Sequence, residues 1–195
     1  MTHCPTLFLD LDDVLCLNRP YGGFDVLHAL QGRHPQPDRV YREVFDEGAR
    51  RRLKALHAAL DGKLQYAISS TWREAMTREQ LVFVFEQADV AEIAQSLAPG
   101  AAWRTPSRSM DPDRLNEIHA WLDAFHKGEP VAVLDDRHSG GALQRILRDS
   151  AHPLHGRVVL CEEWQGLQEA HLAVLIDALR RPVPTLPAGT YWSDL

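Results

Sequence analysis

Short runs of apolar residues that end in polar or acidic side chains constrain the fold of this chain more than any other feature of its sequence. The runs cover residues 6–9, 63–68, 131–134 and 157–161. Continuously apolar strands are typical of sheets covered on both faces, and strands that alternate with helices are typical of parallel sheets. The sequence therefore predicts an α/β fold with a parallel sheet flanked by helices.

Capping residues predict where the intervening helices begin. Asp46 is a candidate N-cap ahead of an apolar stripe, and Thr77 with Gln80 resembles a capping box. Residues 111–113 predict the start of another helix, and a last helix is expected over residues 167–179. At least one helix therefore separates the first strand from the second, and the second from the third.

Length and the distribution of Gly and Pro predict one domain with a small insertion. A chain of 195 residues buries roughly 70% of its unfolded surface, which is enough for a core without disulfides or metals. The segment 16–45 is rich in Gly and Pro, so we expect a loop or small cap there rather than regular structure throughout. The predicted domain covers residues 1–180, and the Pro-rich tail 181–195 is not expected to be helical.

Composition and charge exclude several classes of partner. The chain has 27 acidic and 21 basic residues, so we expect no broad nucleic-acid-binding surface and no attraction to anionic membranes. It lacks a signal-peptide pattern and an apolar run of bilayer length, and a soluble, cytoplasmic protein is expected. Cys4, Cys16 and Cys161 form no CxxC pair and are interpreted as small buried hydrophobes. The composition predicts no particular oligomeric state.

Chemically active side chains follow three of the predicted strands, at the point where each strand ends. Functional groups of an open parallel sheet gather at the carboxyl ends of the strands, so we expect these side chains to lie close together. They are Asp10 and Asp12 after the first strand, Ser69 and Ser70 after the second, and Asp135 and Asp136 after the third.

The acidic residues of this group predict a metal site. Carboxylates from separate strand ends repel one another unless a cation lies among them, and oxygen ligands suit Mg²⁺. Because Mg²⁺ usually keeps coordination positions for water and substrate phosphate, a carboxylate beside it is placed to attack phosphorus. Asp10 is the candidate nucleophile.

Four motifs in chain order resemble the haloacid dehalogenase (HAD) superfamily. They are Leu7-Phe8-Leu9-Asp10-Leu11-Asp12, Tyr66-Ala67-Ile68-Ser69, a cation best matched by Arg114, and Val131-Ala132-Val133-Leu134-Asp135-Asp136. The resemblance implies a HAD-like Rossmannoid sheet with a small cap, and a Mg²⁺-dependent phosphatase that acts through an aspartyl-phosphate. More narrowly, the segments 69–73, 115–122 and 166–167 resemble the HAD-like domains also found in Swiss Army knife RNA-repair proteins.

The resemblance implies a role for each residue at the strand ends. Asp10 attacks phosphorus, and Mg²⁺ is held by Asp10, the backbone carbonyl of Asp12 and the carboxylate of Asp135. Asp12 acts first as an acid and then as a base. Asp136 is either a further metal ligand or an acid that supports the ligands or caps a helix, and Ser69 hydrogen-bonds a phosphoryl oxygen.

Two of these assignments have rivals in the sequence. Ser70 or Thr71 can replace the preceding serine as the hydroxyl that contacts phosphate. Arg104 and Arg108 also precede the acidic pair, and they compete with Arg114 for the role of the cation that neutralises phosphoryl charge.

Two further residues lie beside the predicted reaction centre. Trp72 either stacks on a nucleobase of the substrate or belongs to the core. Asp13 stands where the superfamily usually has Gly, which adds a carboxylate near the metal. Since Asp tolerates turn conformations, we expect the fold to accommodate it.

The predicted function is Mg²⁺-dependent hydrolysis of a phosphomonoester, carried by a small molecule, a nucleotide or a nucleic-acid end. The alternatives are a phosphatase dedicated to nucleic-acid ends in RNA or DNA repair, and a non-catalytic binding module with the same fold. Asp12 argues against a dehalogenase of the superfamily, which lacks the second Asp. A response-regulator receiver likewise lacks a partner Asp two residues after its phosphoacceptor.

Overall fold

A four-stranded parallel sheet forms the centre of the protein. The computed structural model describes residues 4–107, 113–184, 186 and 189–195. The strands are β1 (Thr6–Leu9), β2 (Gln65–Ile68), β3 (Val131–Asp136) and β4 (Val158–Cys161). They lie in the order β2-β1-β3-β4, and every neighbouring pair is parallel. The predicted α/β fold with a parallel sheet is confirmed.

Helices cover both faces of this sheet. In the described ranges they are α1 (Gly23–Leu30), α2 (Pro37–Glu43), α3 (Glu47–Ala59), α4 (Trp72–Ala75), α5 (Arg78–Gln87), α6 (Ala91–Gln95), α7 (Arg114–Phe125), α8 (Gln144–Arg148) and α9 (Glu169–Arg180). Short 3₁₀ turns occur at Gly100–Trp103, Gly141–Leu143 and Trp192–Asp194.

Two helix starts have the capping contacts that the sequence predicts. The Asp46 side chain accepts a hydrogen bond from the Ala49 amide, which satisfies an amide that the first turn of α3 leaves without a helical partner. Thr77 and Gln80 form a reciprocal capping box at the start of α5. Both predictions are confirmed.

The segment 16–45 contains more helix than its content of Gly and Pro suggests. Its breakers stand at helix ends rather than inside helices: Gly22 is the N-cap of α1, Gly32 follows its end, and Pro37 is the first residue of α2. Pro is tolerated in a first turn, where its missing amide has no helical partner anyway. Two short helices, with a turn between them, therefore lie within this segment.

Several other boundaries differ from the predicted ones. β3 continues through Asp135 and Asp136, because these residues pair with Leu160 and Cys161 of β4. The short helices α4, α6 and α8 were not predicted, since four or five residues carry too little periodicity. Residues 111 and 112 of the predicted helix start lie outside the described residues.

Alternate residues of β1 pack into two separate apolar layers. Leu7 and Leu9 face the layer that contains α3, α5 and α9, whereas Phe8 faces the layer that contains α7. The Phe8 ring meets the Trp121 indole edge to face, with centroids 4.9 Å apart. The indole N–H of Trp121 donates to the carbonyl of Ala102 at 2.7 Å. These contacts hold α7 against the sheet.

The described part of the C-terminal tail contains a 3₁₀ turn and no α-helix, as expected. Its Trp192 amide donates to Asp123 Oδ1 at 2.6 Å.

No helix in the described part of the chain is long and apolar enough to cross a membrane. Cys16 and Cys161 are buried as predicted, whereas Cys4 is exposed because it precedes the first strand.

Candidate active site

The register of the sheet brings three functional strand ends side by side. Leu9 of β1 pairs with both Ile68 and Leu134, so the residues after them are neighbours across the sheet. The Asp10 amide donates to the Leu134 carbonyl at 2.9 Å, and the Ser69 amide donates to the Leu9 carbonyl at 2.9 Å. Asp10 is therefore held by the backbone between Ser69 and the first acidic residue of β3.

Three buried carboxylates meet at this edge. Asp10, Asp135 and Asp136 each have a carboxylate oxygen that lies within 4.8 Å of the other two. Asp10 Oδ2 is buried and has no hydrogen-bond partner among the described residues, whereas Asp135 Oδ2 lies against Arg114. Carboxylate oxygens are the ligands of hard divalent cations, so this donor set fits a metal ion.

Arg114 is the cation that faces these carboxylates. Its Nη2 lies 3.3 Å from Asp10 Oδ1, and its Nε lies 2.9 Å from Asp135 Oδ2. Arg104, a rival from the sequence, donates instead to the Arg73 carbonyl and is exposed. Arg108, the other rival, lies outside the described residues. Among the described candidates, the contacts therefore favour Arg114.

A buried glutamate that the sequence pattern did not reveal holds this arginine. Glu117 lies one helical turn after Arg114, with its Oε2 3.2 Å from Arg114 Nη1 and its Oε1 2.8 Å from Arg73 Nη2. Arg73 in turn donates to the carbonyls of Ser69 and Ser70. A continuous network thus links the end of β2 to the first turn of α7. In the sequence, the one indication that Glu117 pairs with Arg114 is their spacing of three residues on a predicted helix.

The turn after β3 orients the acidic pair. Asp136 Oδ1 accepts from the amides of His138 at 2.6 Å and Ser139 at 2.9 Å, as an acid that caps a turn does. The Ser139 hydroxyl donates to Asp135 Oδ1 at 2.8 Å and also contacts Asp136. Asp136 therefore caps this turn and lies in the carboxylate group as well.

Burial changes the acidity of these groups. Burial raises the pKa of Asp10 well above its ordinary value, and the charge of Asp135 raises it further, while Arg114 opposes both effects. Burial also raises the pKa of Asp135 to about 6. A cation among the carboxylates would lower both pKa values, because it favours the charged forms.

The side chain of Asp12 contacts Trp72 and is not part of the group formed by Asp10, Asp135 and Asp136. Its Oδ2 accepts a hydrogen bond from the indole Nε1 of Trp72 at 2.9 Å. Burial raises the pKa of Asp12, and the bond from Trp72 partly offsets that effect. The Trp72 ring is only 4% exposed and stacks on Phe45. It therefore contacts Asp12 and the core, and offers little surface for a nucleobase.

The two serines after β2 differ in their hydroxyl contacts. Both are fully buried. The Ser69 hydroxyl has no hydrogen-bond partner among the described residues, whereas the Ser70 hydroxyl lies 3.5 Å from the Trp72 amide. Thr71 is exposed. Ser69 is therefore the hydroxyl best placed to bind an added group beside Asp10.

Asp13 tolerates its turn as expected, and its carboxylate contacts a neighbouring loop. Its φ is +52°, in the left-handed region that Asp accepts more readily than most residues. Its Oδ1 accepts from the Trp164 amide at 3.0 Å. The Trp164 ring is 46% exposed, and the Arg19 guanidinium lies 4.7 Å from its centroid.

Comparison with protein-family models matches residues 6–172 to a family described as the HAD domain in Swiss Army Knife RNA repair proteins. The match includes all four strands and each residue of the candidate active site. Searches of curated proteins and of solved structures found no match.

Proposed function

This chain belongs to the family described as the HAD domain in Swiss Army Knife RNA repair proteins, and we propose that it hydrolyses phosphoric monoesters through a covalent intermediate on Asp10. One observation carries the proposal. Asp10 Oδ2 and the Ser69 hydroxyl are buried oxygens without partners in the described structure, and Arg114 lies beside Asp10. A phosphoryl group bound here would accept a hydrogen bond from the Ser69 hydroxyl and lie beside the Arg114 guanidinium, with its phosphorus facing Asp10 Oδ2.

In the proposed first step, Asp10 Oδ2 attacks phosphorus and the ester P–O bond breaks. The Ser69 hydroxyl donates to a non-bridging phosphoryl oxygen. Arg114, held by Glu117, neutralises the charge on the phosphoryl oxygens without having to reorganise. The product of this step is an acyl phosphate on Asp10 and a free alcohol.

Asp12 moves the proton in both steps of the proposed reaction. It first protonates the leaving oxygen. It then takes a proton from the water that attacks phosphorus, while the bond between the Asp10 oxygen and phosphorus breaks and inorganic phosphate leaves. Its raised pKa favours the protonated form that the first step needs. The Trp72 indole keeps the Asp12 carboxyl in one orientation throughout.

The family and the carboxylate group both indicate a divalent cation, for which we propose Mg²⁺. Asp10, Asp135 and Asp136 would hold it with the backbone carbonyl of Asp12. When bound, the ion supplies positive charge beside the phosphoryl group and allows the buried carboxylates to stay ionised.

The test is phosphate release from a panel of monoesters, with Mg²⁺ and with a chelator. Asp10→Asn should abolish turnover, because an amide does not attack phosphorus, whereas the exposed acid Asp38 gives the matched control Asp38→Asn. Asp12→Asn should accumulate phosphorylated protein from an aryl phosphate, whose leaving group needs no acid. Intact-mass spectrometry after acid quench detects that species. Turnover by Asp10→Asn contradicts the proposal.

A second candidate is a phosphatase of nucleic-acid ends. The family description names RNA repair proteins, and Arg19 over the exposed Trp164 ring combines a cation with an aromatic face, as single-strand binding sites do. An end-phosphorylated oligonucleotide should then be a better substrate than the matching mononucleotide, and its kcat/KM should fall steeply with salt. Equal values at all salt concentrations would exclude this candidate.

A further inference from the structure

A cleft of about 480 Å³ opens beside Asp12, between α1 and α4. Its size is within the range of roughly 300–1,000 Å³ that small-molecule sites have. Helix α1 contributes Gly23, Phe24 and Leu27 to the wall, and α4 contributes Trp72. Asp12, the residue that contacts the Trp72 indole, is part of the same wall.

The proposed reaction determines which part of a substrate lies here, so the role of this cleft rests on the proposed function. The phosphoryl group lies between Asp10 and Ser69, and the leaving oxygen must lie within hydrogen-bond reach of Asp12. The alcohol that carries this oxygen therefore extends from Asp12 into the cleft that Asp12 lines. The chemistry of the cleft wall then selects the alcohol.

The wall is mostly apolar and includes an unusually exposed aromatic ring. Phe24 is 70% exposed, although it lies on a helix whose other large apolar residues are at least half-buried, and its ring centroid is 4.1 Å from that of His28. A planar group stacked on Phe24 removes apolar surface from water. A hexose that filled the same place would have only Asp12, Asn18 and Thr71 as side-chain hydrogen-bond partners, and its other hydroxyl groups would lie against apolar side chains.

The charge of the cleft wall further limits which alcohols can bind there. None of the described residues that line the cleft is a lysine or an arginine, and Asp12 is its acidic member. Additional phosphate groups on the alcohol would find no cation here. We infer that this cleft is the leaving-group pocket, and that it takes a neutral planar group such as a nucleoside or an aryl alcohol.

Steady-state kinetics test the inference with three substrates: a nucleoside monophosphate, an aryl phosphate and a hexose phosphate. Wild-type protein should show at least a tenfold higher kcat/KM for the two planar substrates. Phe24→Ala should lower kcat/KM for these about tenfold and leave the hexose phosphate unchanged. Phe83→Ala, which removes an exposed ring of α5 that does not line the cleft, is the control and should change none of them.

Equal effects of Phe24→Ala on all three substrates, or no effect, would overturn the assignment. The two planar substrates compared with each other distinguish a nucleoside pocket from a general aromatic one.

A binding measurement separates this inference from the proposed function. Calorimetry with a free nucleoside and a free phenol needs no turnover. Wild-type protein should bind at least one of them several-fold more tightly than Phe24→Ala does, and should not bind a free hexose. Nucleoside binding without phosphate release from any ester would contradict the proposed function and support the pocket. Phosphate release with no binding of either planar alcohol would support the proposed function and contradict the assignment of the pocket.

Discussion

At the scale of single residues, buried negative charge exceeds buried positive charge around the candidate site. The carboxylates are Asp10, Glu117, Asp135 and Asp136, and the guanidiniums are Arg73 and Arg114. An uncompensated buried charge costs free energy, which appears here as raised pKa values of Asp10 and Asp135. Without a cation among them, these buried carboxylates therefore lower the stability of the fold.

Asp10→Asn should stabilise the metal-free protein at pH 8. Its Oδ1 can still accept from Arg114, and its amide replaces the Oδ2 that has no partner among the described residues. We expect a gain of about 1 kcal/mol, or roughly 2–4 °C in Tm for a chain of this size. Thermal unfolding in a chelator measures it.

The sign of the pH dependence is set by the raised pKa of Asp10. The folded protein binds this proton more tightly than the unfolded chain, so the contribution of Asp10 to stability is present in acid and is lost as pH rises through its folded pKa. The advantage of Asp10→Asn should therefore be largest at alkaline pH and vanish in acid. An advantage that grows on acidification would show that Asp10 is ionised and fully compensated.

Trp72→Phe should impair turnover more than binding, because it removes the N–H that orients Asp12 and keeps an aromatic ring in the core. A hydrogen bond to a charged group is worth roughly 1.5–3 kcal/mol, so kcat should fall about tenfold or more with little change in KM.

Gly23→Ala should reproduce this effect without touching Trp72 itself. An added Cβ would lie 2.6 Å from Trp72 Nε1, so the indole must shift away from Asp12. A similar loss of kcat in both variants is expected from steady-state kinetics. A normal kcat in Trp72→Phe would mean that Asp12 needs no such partner.

At the scale of secondary structure, the start of α7 sets the position of the cation. The N-cap Asp113 accepts from the amides of Leu115 and Asn116, which begins the helix at Arg114. Glu117 follows one turn later on the same face. The helix therefore delivers the arginine and the residue that holds it as one unit.

Arg114→Ala should lower kcat/KM at least a hundredfold, because it removes the positive charge beside the phosphoryl group and leaves Glu117 and Asp135 without a shared partner. Arg104→Ala is the matched control, since that side chain binds a backbone carbonyl elsewhere. Assays of phosphate release decide between them. A larger loss in Arg104→Ala would reassign the cation.

The strands and the longer helices were predictable because their patterns are local. An apolar run that ends in Asp or Ser is visible in the sequence, and the parallel register then brings Asp10, Ser69 and Asp135 together. Long-range pairs were not predictable in this way. Glu117 has two arginine partners, one of them more than forty positions away, and nothing in its own neighbourhood indicates burial.

The sequence does not decide the role of Trp72, for a similar physical reason. A tryptophan beside a strand end can face solvent or the core, and its orientation depends on Phe45 and Asp12, which come from other segments. Around two of the exposed rings, Phe24 and Trp164, the sequence has no local pattern that separates an exposed ring from a buried one. Their exposure is a result of the tertiary fold.

At the scale of the whole molecule, cation binding, acidity and stability are linked. A ligand that binds only the folded protein adds about 2.7 kcal/mol of stability at a concentration of 100 times its Kd. Mg²⁺ should therefore raise the Tm of the wild type and have little effect on Asp135→Asn. The increase in Tm should become smaller as pH falls through about 6, the raised pKa of Asp135, because protons then compete with Mg²⁺ for the Asp135 carboxylate. Melting curves with MgCl₂ at pH 5.5 and pH 8 test this expectation, and equal shifts at both would refute it.

The bond between Asp13 and Trp164 joins segments that are 151 positions apart in the chain. The Leu167 amide also donates to the Val14 carbonyl, at 2.9 Å, so two hydrogen bonds attach the loop at 162–166 to the turn after β1. Asp13→Gly keeps the left-handed turn, which suits glycine, and removes the acceptor of the Trp164 amide while the bond from Leu167 remains. The Trp164 amide should then exchange with deuterium roughly ten- to a hundredfold faster, while the amides of the strands keep their rates. The carboxylate at position 13 would thus set how often the loop at 162–166 separates from the turn after β1.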